Sequence, residues 1–381
     1  MVSILAVAAA IPTMAGIAQA IAGAWLTRRF ATKALLARQR GCGGVPPAVT
    51  VLKPLHGAEQ LLEAALASTC AQDYSHFQVV FGVQRADDPA LAVVARLRER
   101  YPDADIAIVV DTRRHGTNPK VGNLINMLPA AKHDVLVIAD SDLHVAPDWL
   151  ARAVAALDVP GTGLVCTLYA GLPATGALTE RLAATQITHS FLPGAVLARA
   201  LGRRDCLGAT MALRRETLAR IGGLEALADH LADDNVLGRR VSALGLAVSL
   251  AGTVPATTVP EATLAALWRH ELRWARTTRA LVPAQFAASV LQYPIAWALL
   301  ALALSGGAVW TWSLFETAWV TRALVARVID RALAPLLGGL AFRAPLWLLP
   351  VRELLSVAVL LASYGGVRVD WRGQTLHADS P

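Results

Sequence analysis

Residues 2–26 contain no charged side chain. As one helix they would reach ~38 Å at ~1.5 Å per residue, enough to cross a bilayer. Arg28, Arg29, Lys33, Arg38 and Arg40 follow with no acid among them. By the positive-inside rule that flank is cytoplasmic. Ala18-Gln19-Ala20 resembles a cleavage site, but a signal peptide carries its positive charge before the apolar core. The pattern therefore predicts an uncleaved anchor. From residue 49 short apolar runs alternate with helix-period segments. Strands are predicted at 49–52, 78–83, 106–110, 135–139, 163–168, 209–213 and 247–251, and helices at 61–70, 90–100 and around Asn123. This alternation implies an α/β fold, a Rossmann-like, mostly parallel sheet. Residues 187–201 are apolar but broken by Pro193 and Gly194, which fits a core segment or one lying at a membrane interface. Residues 286–310, 312–329 and 344–364 are long apolar stretches that predict about three further spans. Two of them carry Glu316, Arg322, Arg327, Arg352 and Glu353, which must face a protein interior or a polar cavity. The resulting division is an anchor over 1–27, a basic linker over 28–47, a catalytic domain over 48–283, membrane helices over 284–366 and a polar tail over 367–381.

Composition agrees with a membrane protein. Apolar residues make up 55% of the 381 positions, and the mean hydropathy is positive. The net charge is +7, with no basic stripe interleaved with aromatics. That argues against a nucleic-acid partner and for an anionic bilayer surface. Cys42, Cys70, Cys166 and Cys206 are scattered, without a C-x-x-C pair. They read as buried thiols, neither a disulfide framework nor a zinc site.

The candidate chemistry centres on Val135-Leu136-Val137-Ile138-Ala139-Asp140-Ser141-Asp142. A strand buried on both faces ends at two carboxylates, where ligands of open α/β sheets lie. Residues i and i+2 face one way, so the two acids would repel unless a cation sits between them. Mg²⁺ or Mn²⁺ suits such hard oxygen donors. A strand-end turn with Asp as a cap fits the octapeptide equally well. Asp87-Asp88 closes an earlier strand in the same way, and Asp233-Asp234 and Arg273-Trp274 follow later. Alone, acidic pairs usually cap helices, and an Arg-Trp pair often anchors a helix at a membrane interface.

Order and placement together resemble inverting glycosyltransferases of family 2, and more closely the ceramide glucosyltransferase-like family 21. The resemblance runs from the anchor to Trp371-Arg372. It rests on Leu52-Lys53-Pro54-Leu55, Val83-Gln84-Arg85-Ala86-Asp87-Asp88-Pro89-Ala90, Asn118-Pro119-Lys120, Asn123-Leu124, Asp140-Ser141-Asp142, Gly208-Ala209-Thr210, Arg214, Gly222-Gly223-Leu224, Asp233-Asp234 and Arg273-Trp274. Within that branch, Leu124-Ile125-Asn126-Met127-Leu128-Pro129, the segment from Ala228 to Asp234 and Trp268-Arg269-His270-Glu271-Leu272-Arg273-Trp274 are similar to bacterial hopanoid-biosynthesis glycosyltransferases. Those are associated with N-acetylglucosamine transfer to bacteriohopanetetrol.

The resemblance implies a nucleotide-sugar (GT-A) catalytic domain at a bacterial inner membrane, with a UDP-sugar donor and a hopanoid or sphingolipid-like acceptor. It implies Lys53, Asp87, Asp88, Lys120, Asp140, Gly208, Thr210 and His270 on the donor side. Asp140 and Asp142 would hold Mg²⁺ or Mn²⁺. Asp234 would be the general base, with Arg273 and Trp274 beside it, and His189 and Asp233 would face the acceptor. His270 departs from the family pattern, which has Gln or Arg three residues before Arg-Trp. The alternatives are a ceramide glucosyltransferase, a processive polysaccharide synthase and a non-catalytic membrane scaffold. A synthase needs more spans for its channel. A scaffold would be free to lose Asp140 or Asp234, and both are present.

Overall fold

The computed structural model describes residues 3–39 and 46–366, and the backbone of 368–371 and 374–377. The catalytic part is built on a seven-stranded sheet. Its strands are β1 (Val49–Pro54), β2 (Phe77–Val83), β3 (Asp105–Val110), β4 (Val135–Ala139), β6 (Thr162–Cys166), β8 (Thr210–Arg214) and β9 (Ala247–Leu250), ordered β3-β2-β1-β4-β8-β6-β9. All expected strands are present. The pairings are parallel except that β8 runs antiparallel to both β4 and β6. Every residue of β1 and β4 is buried, as the wholly apolar run of β4 requires, and in β1 this includes Thr50 and Lys53. The chain builds outward from β1 through β2 to β3, then returns to place β4 on the other side of β1. That reversal opens a crevice at the carboxyl ends of β1 and β4, where Lys53 and Asp140 sit.

A second sheet of three strands escaped the sequence pattern. It joins β5 (Leu143–His144), β10 (Ala256–Val259) and β7 (Ala170–Pro173) in the order β5-β10-β7. A two-residue strand has no periodicity to detect. This sheet holds the segment just after Asp142: the Thr258 N–H donates to the Asp142 carbonyl at 3.0 Å.

The helices around this core are α2 (Leu62–Cys70), α3 (Ala90–Arg100), α4 (Pro119–Met127), α5 (Trp149–Leu157), α6 (Leu178–Gln186), α7 (Leu192–Ala200), α8 (Arg215–Arg220), α9 (Asp233–Ala243) and α10 (Leu264–Leu281). A π-turn, Ile187–Phe191, joins α6 to α7. The segment 187–201 is therefore helical as far as Ala200, with residues 187–190 and Leu192 buried, His189 wholly so, and Leu201 exposed at its end.

The anchor is longer than expected. A single helix, α1, runs Ile4–Gln39 and takes in most of the segment expected to be a linker. No Gly or Pro falls between Ala24 and Gln39 to stop it. The part of the linker at 40–45 lies outside the described residues. Arg38 Nε pairs with Asp148 at 3.1 Å, and Arg152 Nη1 donates to the Ala34 carbonyl at 3.1 Å, so the basic end of α1 is moored to the catalytic domain at α5.

The C-terminal region corrects two expectations. The stretch 286–310 is not one straight helix. It divides into α11 (Pro283–Ala288), a 3₁₀ turn (Ser289–Gln292) and α12 (Pro294–Leu304), bent by 68°. Pro294 has no N–H to continue the helix and pushes Tyr293 out of helical geometry, to φ −111° and ψ 66°. The stretch 312–329 lies inside α13 (Val309–Leu337), which is not among the helices long and apolar enough to cross a membrane. Among the described residues, α1 and the segment Leu346–Ser363 are long and apolar enough to cross a membrane, and the bent pair makes a third if taken as one broken span. Helix α14 (Leu349–Ser363) lies in that last segment. The described part of the tail forms two antiparallel strands, β11 (Arg368–Trp371) and β12 (Gln374–His377). Arg372, expected to extend the family resemblance, lies outside the described residues.

Candidate active site

The crevice at the switch point opens into a cleft of about 480 Å³. One wall is polar and comes from Lys120, Asp140, Asp142, Asp233 and Asp234. Local sequence explains each placement. Asn118 caps α4, accepting from the Lys120 and Val121 N–H groups at 3.0 and 3.2 Å, and Pro119 opens the helix. The same Asn118 donates to the His230 carbonyl at 2.8 Å, tying this loop to the segment before α9. Gly116 lets the loop close: its φ is +69°, and a Cβ there would stand 2.5 Å from the Ala228 carbonyl oxygen. Lys120 is thereby delivered between strand end and helix start. Its Nζ lies 2.6 Å from Asp140 Oδ1 and 3.9 Å from Asp233 Oδ2. Burial opposes its charge, but Asp140, Asp233 and Asp234 outweigh burial and raise its pKa above the ordinary lysine range.

Asp142 accepts from the Thr257 hydroxyl at 2.5 Å. Burial and then the neighbouring Asp140 push its carboxyl upward. That is how a buried carboxyl responds to a second carboxylate beside it. No group of three His, Cys, Asp or Glu side chains suited to a metal is assembled among the described residues. The protein can therefore offer two hard oxygen donors here, with substrate phosphates and water completing a shell, the manner in which Mg²⁺ is commonly held.

Asp233 and Asp234 open α9, where the helix dipole favours negative charge. Burial, then Asp233, outweigh this and Lys120, and push Asp234 up to about 7. Gly208 faces it so closely that a Cβ would lie 2.8 Å from Asp234 Oδ2, so a side chain here would displace the carboxylate. A carboxylate poised near neutrality is suited to take a proton.

Helix α10 supplies His270, Arg273 and Trp274 to the cleft. The His270 ring meets Trp274 edge-on at 4.8 Å and 87°, and its Nδ1 pairs with Glu261. The facing wall is apolar and comes from Tyr169, Ala183, Ile187, Phe191, Leu267 and Leu281. Tyr169, Phe191 and Trp274 pack on a hydrophobic cluster that includes Leu348, with Leu355 of α14 against it. The apolar wall is thus continuous with the C-terminal helices.

Nine of the expected site residues line this cleft: Lys120, Asp140, Asp142, Gly208, Asp233, Asp234, His270, Arg273 and Trp274. Five stand outside its lining. Lys53 is fully buried beneath it, donates to the Asp140 carbonyl at 2.8 Å, and is lowered by burial to about 8. Asp88 accepts from the Gly57 and Ala90 N–H groups at 3.0 and 2.9 Å, holding the loop after β1 to the start of α3. Asp87 is exposed on Arg85. Thr210 is buried at the start of β8. His189 places Nε2 2.7 Å from Asp330 of α13, away from the cleft. Sequence reasoning missed Thr257, Glu261 and Tyr169, whose neighbours in the chain carry no motif.

The fold and family follow from comparison. A mannosyltransferase from Pyrobaculum calidifontis, solved with GDP-Man and Mn²⁺, superposes with a TM-score of 0.51 at 20% identity, covering 93% of this chain and 99% of that one. It shares the GT-A fold. Ceramide glucosyltransferase from Komagataella phaffii is 36% identical over 121 residues, 30% of this chain and 24% of that protein. Ceramide glucosyltransferase 1 of Caenorhabditis elegans is 23% identical over 243 residues, 62% of this chain and 51% of that protein. The chain thus spans at most about half the length of these relatives. The sequence model of glycosyl transferase family 21 matches residues 8–380, nearly all of the polar wall, the α10 motif and the flanking helices together. The chain belongs to glycosyl transferase family 21.

Proposed function

We propose that the protein transfers a sugar, with inversion, from a UDP-sugar to a hydroxyl of a membrane lipid. The observation that carries this reading is the cleft itself. Its polar wall gathers Lys120 and four carboxylates, while its apolar wall continues into helices suited to a bilayer. A soluble acceptor would not need that second wall.

The diphosphate of the donor lies against the ends of β1 and β4. Asp140 and Asp142 would hold a divalent cation there, which when bound offsets the charge growing on the departing diphosphate. Lys120 and Arg273 add positive charge on the same side. The nucleoside half lies over the β1 and β2 ends, where Asp88 holds the Gly57 loop and Asp87 flanks it. Lys53 fixes the Asp140 backbone from below. Gly208 and Thr210 keep the β8 end close and leave room for Asp234. Asp234 takes the proton from the acceptor hydroxyl. That oxygen bonds to the anomeric carbon from the face opposite the diphosphate, and the old glycosidic oxygen leaves with the electron pair, which inverts the carbon. Trp274 offers a flat wall beside the sugar, and His270 meets it edge-on from the donor side. Asp233 stands next to the acceptor-side base. His189 supports the π-turn that carries part of the apolar wall.

The sugar is N-acetylglucosamine and the acceptor a hopanoid polyol such as bacteriohopanetetrol, as the α10 and α9 motifs suggest. Ceramide glucosylation is the second reading, favoured by the names of the two relatives. The test is the purified chain in phospholipid vesicles, given UDP-N-acetylglucosamine or UDP-glucose with bacteriohopanetetrol or ceramide, and read by mass spectrometry. A glycosylated hopanoid is the expected product. Glucosylceramide alone would replace the first reading by the second, and no glycolipid from any combination would overturn transfer to these lipids.

The topology reading places Arg28 to Arg38 and the catalytic domain in the cytoplasm of a bacterium, at the inner membrane. Gly161, in an open turn with φ +82°, is a suitable insertion point. An alkaline phosphatase fusion there should be inactive, and a fluorescent protein fused at the same site should fluoresce. Phosphatase activity would reverse the orientation.

A further inference from the structure

Arg352 lies in an apolar helix and is 1% exposed. A charge in such a helix is expensive unless paired. Its guanidinium meets Glu271 of α10 as a two-toothed fork, Nη1 to Oε1 and Nη2 to Oε2, both 2.7 Å. Nη1 also donates to the Leu182 carbonyl of α6 at 3.4 Å. Nε and Nη2 reach the Ser356 hydroxyl at 3.2 and 3.0 Å, and that hydroxyl is 3.0 Å from Gln186 Oε1, again on α6. One side chain of α14 thus fixes two helices that line the cleft. Both Glu271 and Gln186 are cleft residues.

Stability alone gives little reason for this pair, because a buried ion pair is often no better than well-packed apolar side chains. A planar fork does set distance and rotation together. Glu271 sits between His270 and the Arg273-Trp274 pair on one helix. A turn of α10 about its axis that opened the fork would carry all three away from the diphosphate side.

We infer that Glu271 and Arg352 are positioning residues, a clamp by which the membrane-region helix α14 holds α10 in the orientation needed for sugar transfer. The kinetic part of this inference rests on the transfer reading above. A second buried pair supplies the control. Arg322 Nε lies 2.8 Å from Glu353 Oε1, on the neighbouring residue of α14; Glu353 Oε2 accepts from the Ile295 N–H at the start of α12, and the other Arg322 nitrogens donate to the His189 carbonyl of the π-turn at 3.3 Å. Neither of these two residues lines the cleft.

The experiment uses the full chain in phospholipid nanodiscs, with UDP-N-acetylglucosamine or UDP-glucose and the lipid that serves the wild type. Glu271→Gln and Arg352→Gln should each lower kcat by ~10–100-fold with donor KM changed less than about threefold, the mark of misplacement near the chemistry. The double variant Glu271→Gln, Arg352→Met removes both charges. It should regain thermal stability over the single variants without regaining kcat. The control, Glu353→Gln, leaves Arg322 on the π-turn and should lower Tm but keep kcat within about twofold. Hydrogen exchange across residues 264–281 should accelerate in Arg352→Gln and not in the control. A folded double variant with wild-type kcat, or a control as damaging to kcat as the clamp variants, overturns the inference. If the wild type transfers no sugar, exchange alone decides. Faster exchange over α10 then supports the clamp while the transfer reading fails, and unchanged exchange overturns the clamp.

Discussion

Asp234→Asn should lower sugar transfer by ~10²–10⁴-fold, the usual contribution of a positioned general base. Donor affinity, measured by UDP-sugar binding, stays nearly unchanged, because the amide keeps the carboxylate's size and shape but cannot take a proton. The structure adds two further signatures. Since Asp234 is pushed up to about 7, mainly by burial and by Asp233, wild-type turnover should fall as pH drops through that value. The sign for stability is opposite to that of an ordinary salt-bridged acid. A carboxyl raised on folding binds its proton more tightly in the native state, so it costs stability as pH rises from the unfolded value, ~3.9, to about 7. At pH 8 Asp234→Asn should therefore raise Tm while activity collapses. A mere helix cap would do the reverse, losing ~0.5–2 kcal/mol of stability and keeping turnover. Asp233→Asn is the internal comparison and should be the milder change. Near-normal transfer by Asp234→Asn, or greater damage from Asp233→Asn, would show that the base lies elsewhere.

Chelation of divalent ions should abolish transfer, and Mg²⁺ or Mn²⁺ should restore it. Asp142→Asn and Asp140→Asn each lower turnover at a fixed metal concentration, by more than the ~10–100-fold typical of an outer partner of a metal site. The two variants should part company on titration with Mn²⁺. Asp142→Asn loses one anionic oxygen whose other local partner is the neutral Thr257 hydroxyl. Excess metal should recover part of its activity. Asp140→Asn also releases Lys120, now 2.6 Å away, so it disturbs a second source of positive charge that metal does not replace. Its turnover should stay low. Full activity in excess chelator would remove the metal from the reaction.

The elements legible in the chain are those with a local physical cause. The run 135–139 reads as a buried strand because nothing in it is polar, and its end lies at the cleft, where an open sheet leaves a crevice. The helix expected around Asn123 is α4, which begins where Asn118-Pro119 supply the cap. The geometry that makes a site from these parts was not local. Asp142 finds Thr257 at a separation of 115 residues, across a strand too short to carry a pattern. Lys120 reaches Asp233 because a glycine turn closes on Ala228. In the membrane region composition was a poor guide to shape. Apolar character ran straight through Pro294, while the backbone did not. The charges at Arg322, Arg352 and Glu353 were visible as a problem, but their partners lie on helices that hydropathy could not order.

Helix α1 has one further consequence. Its 36 residues extend ~54 Å at ~1.5 Å per residue, well beyond a hydrocarbon core of roughly 30 Å. The surplus is the basic half, bound to the catalytic domain through Arg38–Asp148 and Arg152–Ala34. On the proposed reading the domain is mounted on a rigid post instead of hanging from a string. The height of the cleft above the lipid then varies little, and the enzyme works as a depth gauge. An acceptor qualifies by how far its hydroxyl stands out of the bilayer as much as by the shape of its tail. Lipids with the same headgroup chemistry but a hydroxyl buried one or two bonds deeper would be passed over.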